Sequence, residues 1–82
     1  MTSKPYYVYI IECCDGSYYT GITNNIDNRL KRHNSGKGSR YTRCRLPVNL
    51  LYQEKHKSYK IAFRRELEIK GWRRKKKERL FK

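Results

Sequence analysis

The fold of this chain is decided by residues 7–22, which read YVYIIECCDGSYYTGI. The runs from Tyr7 to Cys13 and from Ser17 to Ile22 are rich in β-branched and aromatic side chains, which favour strands. Asp15-Gly16 lies between these runs and is a turn signal. The stretch therefore predicts a β-hairpin.

Two registers are open for this hairpin, and they place its tyrosines differently. A two-residue turn pairs Glu12 with Tyr19, so that Tyr9 and Tyr19 lie on opposite faces of the sheet. A three-residue loop that ends in a left-handed glycine instead pairs Tyr9 with Gly21. Both tyrosines then share one face, and the glycine leaves an open space opposite Tyr9. We predict this second register.

The rest of the chain predicts three helices and one more strand. Capping residues at Thr23–Asn25 begin a helix that runs to about Ser35, and Gly36 ends it. The later segments are a loop from Gly36 to Pro47, a strand over Val48–Gln53, a helix from Ser58 to about Gly71, and a last short helix within Trp72–Lys82. The order β-β-α-β-α-α predicts an α+β domain, a three-stranded antiparallel sheet flanked by helices.

Charged residues lie on the faces of the two long helices that should pack. In the first helix, Arg29 and His33 share one face with two apolar residues, although a histidine near a helix C-terminus could also serve as a structural cation. In the second helix, Glu66 lies within an apolar stripe, at about 100° per residue, formed by Tyr59, Ala62, Phe63 and Ile69. A buried carboxylate needs a cation, a metal or hydrogen bonds. The alternative for Glu66 is a structural ion pair with Arg29 or Arg64.

Composition bounds the size of the protein and the kind of partner it binds. The 82 residues predict a single domain over 1–82, with a basic C-terminal helix or tail over 73–82. The 21 basic and 7 acidic residues give a formal charge of +14, which predicts a polyanionic partner. We expect nucleic acid, with DNA first, because 8 tyrosines are spread through the chain and no segment suits lipid. No membrane and no obligate protein partner are expected.

The cysteines and the amino terminus predict a compartment. Cys13, Cys14 and Cys44 are odd in number and lack the spacing of a disulfide framework, so reduced thiols are expected. A zinc site that combines them with His33 or His56 is an alternative that the strand position of the adjacent pair disfavours. The amino terminus has no apolar run of signal length, so a cytoplasmic protein is expected.

The chain carries four short motifs in a fixed order: Tyr7-Val8-Tyr9 on one strand, Tyr19-Thr20-Gly21 on the next, Arg29 and His33 one helical turn apart, and Arg65-Glu66 on the later helix. This ordered set resembles the GIY-YIG nuclease family. The resemblance runs from Tyr6 to about Trp72, and residues 15–23, 33–38 and 65–70 are most similar to small stand-alone bacterial members. The first motif lacks the family's glycine, and Thr20 replaces an isoleucine.

The resemblance implies hydrolysis of a phosphodiester with one divalent metal, Mg²⁺ or Mn²⁺. Glu66 matches the family's metal-binding glutamate, and Tyr9 and Tyr19 match the two motif tyrosines, one of which helps to deprotonate water. Arg29 matches the arginine that stabilises the phosphate, and His33 occupies a nearby position. Several family nucleases also carry an asparagine well after the glutamate, and Lys77, Glu78 and Arg79 fill that region here.

Three functional hypotheses follow. The first is a metal-dependent endonuclease acting on DNA, in repair or in the processing of structured DNA. The second is a nucleic-acid-binding module, for DNA or structured RNA, with little or no turnover. The third is a small protein whose charge serves an acidic protein partner. For nucleic acid, the candidate binding residues are basic side chains in the loop and the tail: Lys37, Arg40, Arg43, Arg45, Arg73, Arg74, Lys75, Lys76 and Lys77.

Overall fold

Strand β1 (Tyr6–Glu12) is the centre of a three-stranded antiparallel sheet in the computed structural model, which describes residues 4–82. Strands β2 (Tyr18–Thr23) and β3 (Asn49–His56) lie on either side of it, in the order β2-β1-β3. The helices are α1 (Ile26–Asn34), α2 (Arg40–Arg43), α3 (Tyr59–Lys70) and α4 (Arg74–Glu78). The predicted α+β fold with its antiparallel sheet is confirmed.

The hairpin of β1 and β2 has the register that the three-residue loop predicts. Tyr9 pairs with Gly21, and Ile11 pairs with Tyr19. Gly16 has a φ of 84°, the left-handed conformation that the loop requires. The prediction that Tyr9 and Tyr19 share a face of the sheet is therefore confirmed.

Each face of the sheet carries its own core. On one face, Val8 and Ile10 pack with Ala62 and Ile69 of α3. On the other face, Tyr9 and Ile11 belong to a cluster against which Ile26 and Leu30 of α1 pack. Helices α1 and α3 therefore lie on opposite faces of the sheet, so a site that uses side chains of both must cross an edge strand.

Helix α2 was not predicted, because we expected a loop from Gly36 to Pro47. Its N-cap is Ser39, whose hydroxyl accepts a hydrogen bond from the backbone N–H of Thr42 at 3.2 Å. A helix of 4 residues is too short to show an apolar periodicity. The observed order is therefore β-β-α-α-β-α-α.

The predicted apolar stripe of α3 is correct for Ala62 and Ile69 and wrong for two aromatic residues. Tyr59 and Phe63 are 50% and 39% exposed, and their rings stack with centroids 5.8 Å apart. The buried line of α3 runs through Ala62 and Ile69, and at about 100° per residue Phe63 lies far to one side of it. Glu66, by contrast, is only 6% exposed.

Helix α4 is docked against the hairpin by basic side chains of the predicted tail. The guanidinium carbon of Arg74 lies 3.8 Å from the ring centroid of Tyr18, and its Nη1 donates to the carbonyl of Gly16 at 2.8 Å. The Tyr18 hydroxyl donates to Glu78 at 2.6 Å. Within residues 4–82, no helix has the length and apolar character that crossing a membrane requires.

Candidate active site

The phenol of Tyr9 contacts the imidazole of His33 across the face that α1 covers. The Tyr9 hydroxyl lies 3.0 Å from Nε2 of His33, and the two residues are 2% and 1% exposed. The apolar residues of α1 hold this helix on the sheet, so His33, in its last turn, lies over β1. A predicted pair of functional residues is thus in direct hydrogen-bond contact.

The other nitrogen of His33 is held by α2. Nδ1 lies 2.9 Å from the hydroxyl of Thr42, and that hydroxyl donates to the carbonyl of Ser39 at 3.3 Å. The Ser39 hydroxyl is also within hydrogen-bond distance of the Thr42 hydroxyl, at 3.1 Å. When Thr42 donates its proton to Ser39, Nδ1 of His33 donates to Thr42, and Nε2 is unprotonated and accepts the hydroxyl proton of Tyr9. With the other tautomer, Thr42 donates to Nδ1 and Nε2 donates to Tyr9. We predict the first assignment, because it keeps the hydrogen bond from Thr42 to the Ser39 carbonyl.

Thr42 is a functional candidate that sequence reasoning missed. The residue is fully buried and reaches His33 only because α2 folds back over α1. The available signal was Ser39, a capping residue three positions before Thr42, which could have indicated a short helical turn in the predicted loop. Its contact with the histidine depends on tertiary structure and has no sequence signal.

The charges around Tyr9 show which other groups are near it. Burial raises the pKa of the Tyr9 phenol well above its usual range, Tyr19 and Glu66 raise it further, and the positive charge of Arg29 opposes them. The pKa of His33 is lowered by burial and by the nearby Arg29. At neutral pH, the site therefore holds a protonated phenol and a neutral imidazole, with a cation and a carboxylate within electrostatic reach.

Tyr19 forms a wall of the site beside His33. Its ring centroid is 5.5 Å from that of His33 and 6.1 Å from that of Tyr41, on which it stacks at an interplanar angle of 24°. Arg45 lies over the other ring of this stack, 4.2 Å from the Tyr41 centroid, and its Nε donates to Asp15 at 3.0 Å. Arg45 thus packs on Tyr41 and helps to hold the stacked rings of Tyr41 and Tyr19 in place.

Glu66 is a buried carboxylate with a distant partner. Its Oε2 is 3.7 Å from Nζ of Lys70, and this is its one ion pair within residues 4–82. The alternative pairs with Arg29 or Arg64 are not formed. No group of three or more His, Cys, Asp or Glu side chains converges in the described part of the chain, so Glu66 would be the main protein ligand of a cation here. One carboxylate suits a hard divalent ion that keeps most of its waters, so the site fits such a metal.

Two glycines make room for the tyrosine and the histidine. A Cβ on Gly21 would collide with the hydroxyl and Cζ of Tyr9 and would lie 2.9 Å from its Cε1. A Cβ on Gly38 would collide with Nδ1 of His33 and lie 2.9 Å from its Cα. The space that we predicted opposite Tyr9 is therefore present, and the phenol of Tyr9 fills it.

A cleft crosses the edge of β2 next to these residues. Its volume is about 240 Å³, and its lining residues come from the hairpin, α2 and the two C-terminal helices: Tyr18, Tyr19, Thr20, Tyr41, Lys70 and Lys77. A larger hollow of about 410 Å³ lies at the start of α1 and involves none of the predicted catalytic residues. The smaller cleft is the one that adjoins Tyr19 and the partner of Glu66.

The predicted nucleic-acid-binding residues differ in whether their side chains are exposed and unpaired or are engaged in contacts within the protein. Exposed side chains without an ion pair in the described residues are Lys37, Arg40, Arg43, Arg73, Lys75 and Lys76. Lys76 nevertheless lies over the ring of Trp72, 4.5 Å from its centroid. Arg45 and Arg74 are engaged in internal contacts, and Lys77 lines the cleft.

Comparison with known proteins gives a consistent set of relatives. The model of the GIY-YIG catalytic domain matches residues 5–79. A UPF0213 protein of Bacillus cereus is 49% identical over 78 residues, which is 95% of this chain and 81% of the relative. A UPF0213 protein of Staphylococcus aureus is 47% identical over 77 residues, which is 94% of each chain.

Two solution NMR structures share the fold. The UPF0213 protein BH0048 from Bacillus halodurans is 50% identical, with a TM-score of 0.59 over 93% of this chain and 81% of that one. The protein EF2693 from E. faecalis is 39% identical, with a TM-score of 0.65 over 95% of this chain and 83% of that one.

The family match supports a nuclease-type function on a nucleic-acid substrate, and nucleases of this family generally use divalent metals. The fold, the ordered motifs and the relatives agree along nearly the whole chain. The chain belongs to the GIY-YIG family, among its small stand-alone bacterial members.

Proposed function

We propose that the protein is a metal-dependent endonuclease that hydrolyses DNA phosphodiester bonds, in repair or in the processing of structured DNA. The observation that carries this proposal is the hydrogen-bonded chain from Tyr9 through His33 to Thr42, with the Arg29 and Glu66 charges close enough to shift the pKa of Tyr9. Groups whose pKa values are perturbed by burial and by nearby charges are typical of functional sites.

The chain from Tyr9 to His33 suits removal of a proton from water. The Tyr9 hydroxyl is a weak base while it holds its own proton, and its raised pKa makes an isolated phenolate unfavourable. Neutral His33 removes that difficulty, because Nε2 can take the phenol proton as the phenol oxygen takes one from water. Thr42 keeps Nε2 free for this step by accepting from Nδ1.

Arg29, Tyr19 and Glu66 complete the proposed site. The guanidinium of Arg29 would contact phosphate oxygens whose negative charge grows in the transition state. Tyr19, held between His33 and Tyr41, would position the substrate. Glu66 would hold a divalent metal, Mg²⁺ or Mn²⁺, which when bound supplies charge stabilisation to the phosphate.

Charge and thiol chemistry support the substrate and the compartment. The formal charge of +14 suits a polyanion. The exposed cations Lys37, Arg40 and Arg43 lie in the loop and in helix α2 that follow the helix carrying Arg29 and His33. Cys13, Cys14 and Cys44 are free thiols, which fits the cytoplasmic location that we propose.

The test is cleavage of labelled DNA and RNA structures with Mg²⁺, with Mn²⁺ and with chelator. We expect divalent-dependent nicking that Glu66→Gln abolishes while DNA binding persists. Glu68→Gln is the matched control, because it removes the same charge from an exposed position of the same helix. Nicking that survives in Glu66→Gln, or that Glu68→Gln removes equally, would contradict the proposal.

A binding module with little turnover is the second candidate. The observation that favours it is the presence of Lys77, Glu78 and Arg79 in the region where several family nucleases carry an asparagine. Tight, salt-dependent binding without cleavage of any structure in the panel, by a folded wild-type protein with metal, would select this alternative.

A further inference from the structure

We propose that Lys70 and Lys77 form a subsite for a phosphate ester in the cleft across the edge of β2. The phosphate would be the neighbour, along the same strand, of the one that is cut. This placement rests on the proposed function, but the chemistry of the subsite can be tested without cleavage.

Two lysines line this cleft, and one of them has no ion pair. Lys77 makes no ion pair within residues 4–82, and Lys70 has one partner, Glu66, at 3.7 Å. The pKa of Lys77 is lowered by burial and by the charge of Lys70, so the two cations, which line the same cleft, are close enough to repel one another. Among residues 4–82, no carboxylate lines the cleft. An anion bound between the lysines would offset this repulsion.

An unsatisfied hydroxyl lines the same cleft. Thr20 is 2% exposed, and its Oγ1 has no hydrogen-bond partner in the described residues. Buried hydroxyls without a partner are exceptions in folded proteins. The Oγ1 atom itself is buried below the surface of the cleft, so a small shift of the Thr20 side chain would let it donate to a phosphate oxygen bound there.

The walls of the cleft favour an ester over free phosphate. Tyr18, Tyr19 and Tyr41 contribute aromatic surface, and the last two are stacked on one another. Such a wall offers contact area to a sugar or a base attached to the phosphate. The subsite is also close to the proposed chemistry, because Lys70 contacts Glu66 and Tyr19 contacts His33.

The experiment is a titration of metal-free protein with thymidine 5′-monophosphate, with chelator present so that no cleavage occurs. Binding is followed by NMR signals of the lysine ammonium groups and the tyrosine rings, with thymidine as the probe that lacks the phosphate. The variants are Lys77→Gln, Lys77→Arg and the control Lys60→Gln. Lys60 is exposed in the first turn of α3, at the other end of that helix from Lys70, so its substitution removes the same charge away from the cleft.

We expect the nucleotide to shift the signals of Lys77 and Tyr41, with much smaller shifts from thymidine. Lys77→Gln should weaken nucleotide affinity about tenfold, the effect of losing one charge-assisted hydrogen bond. Lys60→Gln should change the affinity less than twofold, and Lys77→Arg should retain most of it. Circular dichroism checks that each variant is folded.

The result that would overturn the subsite is an equal loss of affinity in Lys77→Gln and Lys60→Gln, or equal binding of thymidine and its phosphate. These outcomes are separate from those of the cleavage test. Phosphate-dependent binding that needs Lys77, in a protein that cuts nothing, supports the subsite and contradicts the endonuclease. If the protein cleaves DNA but Lys77→Gln binds the nucleotide as well as its control variant does, the endonuclease is supported and the subsite is contradicted.

Discussion

Gly21 and Gly38 show how little space separates the residues of the candidate site. Each glycine lies where one added carbon would collide with Tyr9 or His33. Gly21 is 12 residues from Tyr9 on the neighbouring strand, and Gly38 is 5 residues from His33 in the loop after α1. Their importance therefore comes from close packing between strands and loops.

Gly21→Ala is expected to displace the phenol of Tyr9. We expect a loss of stability of about 1–3 kcal/mol from overpacking and a loss of cleavage of about 100-fold from misplacement of the phenol. Gly71→Ala is the control, because its Cβ would make an ordinary contact of 3.5 Å with the carbonyl of Glu68. Urea denaturation and single-turnover cleavage measure both effects. Full activity in Gly21→Ala would show that the position of the Tyr9 phenol is unimportant.

Thr42→Val is expected to remove the hydrogen bond that favours one tautomer of His33, with little change in side-chain volume. Nδ1–H loses its acceptor in a buried site, at a cost of about 1–3 kcal/mol of folding free energy. Nitrogen NMR shifts of the imidazole should show protonation at Nε2 as well as Nδ1, and cleavage should fall. Thr42→Ser, which keeps the hydroxyl, should restore a single tautomer. An unchanged spectrum in the valine variant would contradict our proton assignment.

The lowered pKa of His33 predicts how stability depends on pH. The unfolded chain takes up a proton on this residue below about pH 6.5, whereas the buried imidazole, close to Arg29, resists protonation. The unfolded state therefore binds more protons there, and the free energy of unfolding falls as pH decreases from about 6.5 toward the lower folded-state pKa.

Urea denaturation at a series of pH values, with wild type and His33→Gln, measures this contribution. The variant should have a flatter pH dependence just below pH 6.5. Glu54 and Glu78 also have lowered pKa values, but their contributions disappear in a more acidic range, below their usual pKa of about 4.3. Identical slopes for the two proteins would refute the assignment to His33.

Among the secondary-structure elements, the hairpin was the most predictable and α2 the least. The register of β1 and β2 follows from the left-handed Gly16 and a three-residue loop, which are local features. Helix α2 is defined by a cap and by its contact with His33, and the second of these needs the tertiary fold. Local sequence therefore indicated where the motif tyrosines lie and missed the helix that holds the histidine.

The outer face of α3 was mispredicted for a related reason. An apolar residue can lie beside the buried face of a helix and remain exposed to solvent, as Tyr59 and Phe63 do. Spacing alone could not show how narrow the contact between α3 and the sheet is. The effect of the Glu66 charge on the pKa of Tyr9 likewise depends on the path of the whole chain, which brings two residues 57 positions apart within electrostatic reach.

Substitutions along α3 should distinguish its buried side chains from its exposed apolar side chains by their effect on stability. Ile69→Ala removes a fully buried side chain and should cost about 2–5 kcal/mol. Leu67→Ala removes one that is 54% exposed and should change stability by about 0.5 kcal/mol or less. Chemical denaturation of both variants measures the difference. Comparable losses would indicate that another surface covers Leu67 in solution.

At the scale of the whole molecule, the formal charge of +14 is divided between free and engaged cations. Arg43 is exposed and makes no ion pair in the described residues, whereas Arg74 contacts Tyr18, Gly16 and Glu78. The total was readable from composition, and the division between the two kinds was not. A count of basic residues therefore overstates the surface available to a nucleic acid.

Arg43→Gln and Arg74→Gln should separate these two roles. Affinity of wild type for duplex DNA should fall with salt, with a log–log slope of about −0.9 per phosphate neutralised. Arg43→Gln should make the slope shallower by about 0.9 without changing the melting temperature, and Arg74→Gln should mainly lower the melting temperature. Salt titrations and thermal melts measure both. Binding that ignores salt would favour an acidic protein partner over nucleic acid.

The position of the cleft on an edge strand has a consequence for control of the protein. In the part of the chain from residue 4 to 82, no strand pairs with the outer rim of β2, so its outward backbone amides and carbonyls can pair with another strand. A peptide that extended the sheet there would cover Tyr19 and close the cleft. An extended acidic segment, attracted by the cationic surface, would thus block access to the site by pairing with β2 and not by binding inside the cleft.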